Sequence, residues 1–129
     1  MRKSRTLLES FIYAISGIAY SLKTQRNMRI HFVMAGIVML FGLLFRLSPL
    51  EMALVFFTIS FVIICEMINT SIETTIDLFT KEYHPLAKIG KNVAAGAVLI
   101  AALNAIIVGY LIFYTRITKL IRLLLNHIQ

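Results

Sequence analysis

Three of the six acidic residues of this 129-residue chain lie in one stretch, Glu66-Met-Ile-Asn69-Thr-Ser-Ile-Glu73-Thr-Thr-Ile-Asp77. At ~100° per residue, a helix would gather Glu66, Asn69, Glu73 and Asp77 into a stripe ~80° wide. Met67, Ile68, Ile72 and Ile76 take the other sides. Glu66 directly follows a predominantly apolar run, Met52 to Cys65. A carboxylate in or near hydrocarbon is strongly disfavoured unless it is paired or hydrated. The three acids are therefore expected to face a shared polar cavity, a metal ion or cationic side chains. The bland alternative is a helix that has left the bilayer by Asn69, with Glu73 and Asp77 as ordinary solvated residues.

The chain then supplies Glu82-Tyr83-His84, followed by Lys88 and Lys91. Carboxylates that can hold Mg²⁺, beside lysines that can meet phosphate oxygens, are what phosphoryl transfer requires: charge neutralisation and positioning. An acid at the membrane edge could also deprotonate a lipid hydroxyl. The chain contains neither GxxxxGK[ST] nor GxGxxG, and Gly90-Lys91 lacks the leading glycine and the Ser or Thr. A soluble nucleotide-binding fold is not expected. His84, beside Pro85, reads as an exposed loop residue, and His31 and His127 read as interfacial ones.

The elements that hold these residues are set by composition. Hydrophobic residues make up 59% and charged residues 15% of the chain, and the mean hydropathy is +0.84. A soluble domain is nearer ~45–50% apolar and ~25% charged. This excludes a soluble globular enzyme, a disordered tail and a fibrous repeat, and leaves a small integral membrane protein of one domain, residues 1–129. Leu8, Phe11, Ile12, Ile15, Ile18, Ala19 and Leu22 recur at helical spacing, which predicts an amphipathic surface helix over about 5–25. Three apolar runs predict spans near 30–47, 51–72 and 93–115. Ala94-Ala95-Gly96-Ala97 is a small-residue patch suited to close helix approach. The lone Cys65 excludes an internal disulfide.

The formal charge is +7. With no basic run of roughly five to eight residues, it reads as cationic ends resting on anionic headgroups, with no nucleic acid bound. Residues 1–30 hold six Lys and Arg, and Lys81, Lys88 and Lys91 lie in 78–92. Both segments are expected in the cytoplasm. Arg46, Arg116, Lys119 and Arg122 then fall outside, the last three against the rule.

The run Glu66-x-x-Asn69-x-x-Ile72-Glu73-x-x-x-Asp77, with Glu82-Tyr83-His84 and Lys91-Asn92-x-Ala-Ala-Gly-Ala-Val-Leu, resembles the prokaryotic diacylglycerol kinase family. Arg26-Asn27-Met28-Arg29-Ile30-His31 looks like its Gram-positive-type branch, chiefly undecaprenol kinases. The resemblance covers about residues 5–112. It implies an all-α homotrimer in a bacterial plasma membrane, each chain having an N-terminal amphipathic surface helix and three transmembrane helices. It also implies active sites shared between subunits on the cytoplasmic side, ATP as phosphoryl donor, Mg²⁺ as cofactor, and undecaprenol or diacylglycerol as substrate.

By the resemblance, Glu66 falls on the catalytic base and Glu73 on a Mg²⁺-binding glutamate. Tyr13, Glu82, Tyr83, His84 and Lys91 fall on nucleotide-binding positions, and Asn69 on the motif asparagine. Ser10, Asn27, Met28 and Arg29 fall near lipid-contacting positions. Gln25 stands where the family usually has a second metal-binding glutamate, and Asn92 where it has aspartate. Each swap keeps shape and removes a negative charge from the nucleotide–metal half of the site. Weakened metal affinity, a changed nucleotide preference or a disabled enzyme is expected. The competing readings are a proton-coupled transporter with Glu66 as relay, and a non-enzymatic membrane subunit.

Overall fold

The computed structural model describes residues 6–128, with side chains as far as residue 126. Arg2, Lys3, Arg5 and the side chain of His127 lie outside the described residues. The described residues form α1 (Leu7–Thr24), α2 (Arg26–Leu44), α3 (Pro49–Phe79) and α4 (Pro85–Ile128). The last three are each long and apolar enough to cross a membrane.

Local chemistry sets the helix ends. Thr6 caps α1 by accepting the Glu9 backbone N–H at 3.2 Å, satisfying one orphan donor of the first turn. A single extended residue, Gln25, is both the C-cap of α1 and the N-cap of α2. The second helix therefore starts at Arg26, ahead of the expected residue 30, because polar Arg26 to Arg29 continue the turn. It also stops at Leu44, short of 47. There the Arg46 N–H donates to Leu43 O at 3.1 Å and the Leu47 N–H to Gly42 O at 3.0 Å. This is a Schellman closure with Arg46 at φ 51°, a position that glycine usually fills.

Ser48 and Glu51 then form a reciprocal capping box, with Pro49 opening α3. The helix runs on to Phe79, past the expected 72. The hydroxyls of Thr70, Thr74 and Thr75 donate back to carbonyls four residues earlier, so they are satisfied within the helix itself. The expected 78–92 connection shrinks to residues 80–84, because His84 O accepts the Lys88 N–H at 3.0 Å and Pro85 opens α4. Lys88 and Lys91 thus ride on the first turns of α4. At its far end α4 continues beyond 115 to Ile128.

Helices α3 and α4 run antiparallel and are pinned at both ends. Lys91 Nζ donates to Asp77 Oδ1 at one end. At the other, Arg116 Nη2 reaches both Glu51 oxygens at 2.9 and 2.8 Å. The 51–77 stretch is ~39 Å long at 1.5 Å per residue, close to a bilayer with its headgroups. Arg116, which offended the charge rule, is thereby neutralised by its own chain. Between the pins Val55, Val62, Ala94, Val98, Ala101 and Ile112 are buried, whereas Phe57, Leu111 and other large apolar residues face outward, as lipid requires. The small-residue patch is only partly used for packing: Ala94 is buried, but a Cβ at Gly96 would meet nothing within 4 Å. The close approach falls instead at Gly90, where a Cβ would stand 3.1 Å from Ile76 Cδ1.

A left-handed conformation at a non-glycine residue costs roughly 1–2 kcal/mol. Arg46→Gly is expected to raise unfolding stability by about 1 kcal/mol, read as a later midpoint in a detergent-denaturation titration. An unchanged or earlier midpoint would mean that the Arg46 side chain itself holds the turn.

Candidate active site

The stripe divides by depth. Glu66 is 1% exposed and Asn69 6%. Glu73 is half-buried and Asp77 exposed. Glu66 and Asn69 face a cavity of about 280 Å³, which Asn27, Ile30 and His31 of α2 close on one side and Ala95, Val98, Leu99 and Ala102 of α4 on another. These α4 positions follow the spacing of a single helix face. Asn69 Nδ2 donates to Glu73 Oε1 at 3.2 Å, which links the cavity to the half-exposed part of the stripe. Asp77 turns away to Lys91.

Two atoms in this arrangement lack a partner. Glu66 Oε2 and Asn69 Oδ1 are buried and accept no hydrogen bond among the described residues. Buried acceptors normally have donors, and an unpaired carboxylate oxygen is the more costly of the two. Both oxygens suit a ligand that brings an O–H or N–H into the cavity.

The other expected residues sit around the cavity or away from it. Gln25 is half-buried at the α1–α2 joint, and its side chain makes no capping hydrogen bond. Asn27 lines the cavity, Arg29 is exposed, and Met28 has no exposed surface and is not part of the wall. Ser10 and Tyr13 are exposed on α1. Glu82, Tyr83 and His84 are exposed on the link between α3 and α4, with Lys88 Nζ 6.0 Å from the Tyr83 ring centre. Lys91 is half-buried and Asn92 exposed. None of these link or α1 residues belongs to the cavity wall.

His31, expected at the interface, is half-buried in that wall. Its signal was its spacing of four from Asn27, which puts both on one face of α2.

Among the described residues no cluster of three or more His, Cys, Asp or Glu could cage a metal ion. Mg²⁺ in kinases is held by one or two carboxylates together with substrate phosphates and water. Glu73, half-exposed and bonded through one oxygen to Asn69, fits such a role.

The fold and cavity define a helical membrane protein with a buried carboxylate site. The sequence model of the prokaryotic diacylglycerol kinases matches residues 12–113, and the chain belongs to that family. Over 109 residues it is 40% identical to an undecaprenol kinase of Bacillus subtilis, covering 84% of this chain and 89% of that protein. Over 104 residues it is 45% identical to a diacylglycerol kinase of a Synechocystis species, covering 80% of this chain and 59% of the relative. The chain thus spans less than two thirds of the Synechocystis protein.

Among the described residues no donor meets Glu66 Oε2, so an amide at this position would lose no hydrogen bond at that oxygen. Glu66→Gln is therefore expected to unfold no earlier than the parent in a thermal melt in detergent. A loss above about 1 kcal/mol would reveal a partner that depends on the charge.

Proposed function

We propose that this chain is a lipid kinase that moves the γ-phosphoryl group of ATP to the hydroxyl of undecaprenol or diacylglycerol at the cytoplasmic face of a bacterial plasma membrane. The observation that carries the reading is the unpaired, buried Oε2 of Glu66, set in a cavity between membrane-spanning helices.

Glu66 Oε2 accepts the proton of the lipid hydroxyl. The alcohol oxygen attacks the γ-phosphorus in line, forming an O–P bond as the bond to the bridging oxygen of ADP breaks. No covalent enzyme intermediate is needed. Lys91, ion-paired with Asp77 at the exposed end of the stripe, offsets charge on the phosphate oxygens. Glu73 would hold Mg²⁺, which supplies phosphate charge neutralisation when bound. Tyr13, Gln25, Glu82, Tyr83, His84 and Asn92 serve the nucleotide, and Ser10, Asn27, Met28, Arg29 and Asn69 serve the lipid.

In this reading α1 lies along the headgroups, with the exposed Leu8, Phe11, Ile12 and Ile15 in the bilayer. The working unit is a homotrimer. Three spanning helices bury few residues, most of the nucleotide-side residues lie exposed, and α4 carries the exposed amide Asn104 within its span. A second copy would cover that amide and bring more groups to the rim.

Protein reconstituted with labelled ATP, Mg²⁺ and either undecaprenol or diacylglycerol should yield labelled lipid phosphate. Glu66→Gln should lower kcat by at least about 10²-fold. Failure of transfer by both the parent chain and Gln25→Glu would end the kinase reading.

Gln25→Glu should also lower the Mg²⁺ concentration for half-maximal transfer, since it restores a carboxylate beside the site. An unchanged Mg²⁺ titration would remove Gln25 from the metal's surroundings.

A further inference from the structure

In the proposed reaction Glu66 gains one proton per turnover and must lose it before the next. With 1% of its surface exposed, it has almost no water of its own to receive that proton. Two routes lead away from it. Along α3, Asn69 Nδ2 donates to Glu73 Oε1 at 3.2 Å. A carboxamide neither binds nor releases a proton near neutral pH, so this bond holds Glu73 without passing a proton to it. On the α2 side of the cavity stands His31, half-buried rather than enclosed. Among the described residues it is, apart from Glu66, the one side chain in that wall able to take up a proton; the others are Asn27, Asn69 and aliphatic residues. Histidine is the side chain best suited to take and give a proton near neutral pH.

The two groups need a bridge. Glu66 Oε2 accepts no hydrogen bond among the described residues, so His31 does not meet it at that atom. The cavity measures about 280 Å³, and a water molecule takes ~30 Å³. The unpaired Asn69 Oδ1 and the Asn27 side chain supply further polar partners to hold such a water.

We propose that His31 is the proton exit of the site, taking through water in the cavity the proton that Glu66 has received from the alcohol and passing it to the medium. The inference rests on the lipid-kinase reading and deepens it from the transfer step to the reset that follows. The alcohol O–H proton moves to the Glu66 carboxylate, and then to the neutral imidazole of His31. Its release to water restores both groups, so one proton leaves per phosphoryl group transferred. While His31 carries the proton, its positive charge faces the restored Glu66 carboxylate across a space of low dielectric, which stabilises the separated pair. Glu66 is the one carboxylate in this wall, with Glu73 behind Asn69. Helix α4 brings Tyr110 into an adjoining cavity that His31 also borders, and α1 contributes to neither wall. His31 touches no reacting atom and acts through Glu66, as a positioning residue for its proton.

Transfer to undecaprenol in mixed micelles, followed against pH with ATP and Mg²⁺ saturating, tests the assignment. In His31→Gln, kcat at neutral pH should fall at least about tenfold, with both KM values at the parent level. One ionisation should also disappear from the acid limb of the kcat profile. His31→Ala should show the same loss, and imidazole added to the buffer should restore part of it. The parent gives a readout that needs no variant to fold: its acid limb should shift strongly with temperature, as imidazole ionisation does and carboxylate ionisation does not. An acid limb retained in His31→Gln overturns the proposal. So does a raised KM at unchanged kcat, which would make His31 a substrate-binding group, and so does a parent limb that temperature leaves in place. A parent chain that phosphorylates neither undecaprenol nor diacylglycerol ends the kinase reading and the proton exit with it, whereas an active parent with unaltered His31 variants ends the proton exit alone.

Discussion

Hydrocarbon offers no hydrogen bonds, and this constraint orders the polar residues of α3 and α4. Hydroxyls at Thr58, Thr70 and Thr74 turn back onto their own helix. Charges are pushed to the two ends, where Asp77 meets Lys91 and Glu51 meets Arg116. Among the buried side chains of the described residues, what remains after this pairing is small and specific: one carboxylate oxygen of Glu66 and one amide oxygen of Asn69. A membrane protein that keeps such atoms unpaired holds them for something outside the chain.

The same constraint explains why three helices are needed. A pair of helices has no interior in which a side chain can be hidden from lipid on every side. Pinning α3 to α4 fixes their register along ~39 Å, so that the 95–102 face of α4 comes opposite Glu66. Helix α2 then closes the remaining side with Asn27 and His31. Its placement depends on Gln25, because a one-residue joint leaves α2 little freedom relative to α1. The site is thus assembled by lengths and end contacts rather than by a dedicated loop.

Much of this was legible in the residues. Hydropathy identified three spans, and the 3.6-residue period placed Glu66, Asn69, Glu73 and Asp77 on one face. Periodicity reports direction around a helix but not depth along it. It could not tell that Glu66 is enclosed while Asp77 is exposed and paired across a turn with Lys91. Helix ends were misjudged wherever a polar residue was read as a break. Polar residues continue α3 to Phe79, and a proline opens α4 eight residues before the expected start at 93. Arg46 gave no warning of its left-handed backbone, because the usual signal there is a glycine. His31 also lines the cavity, which its place near a span end does not reveal and its spacing from Asn27 does.

The two departures from the family pattern acquire a location from the structure. Gln25 lies at the α1–α2 joint and Asn92 is exposed on α4, and neither belongs to the wall around Glu66. On the proposed function, the enclosed half of the site is therefore intact and the altered half is the rim that would meet nucleotide. A lost rim charge acts on a group that is partly solvated, where water and substrate phosphates can complete a metal's shell. A lost carboxylate in the enclosed cavity would have no such substitute, since the other base in its wall, His31 of α2, brings no negative charge. On the proposed function the swaps would thus bear first on how tightly nucleotide and metal are held, and only through that on the proton transfer at Glu66.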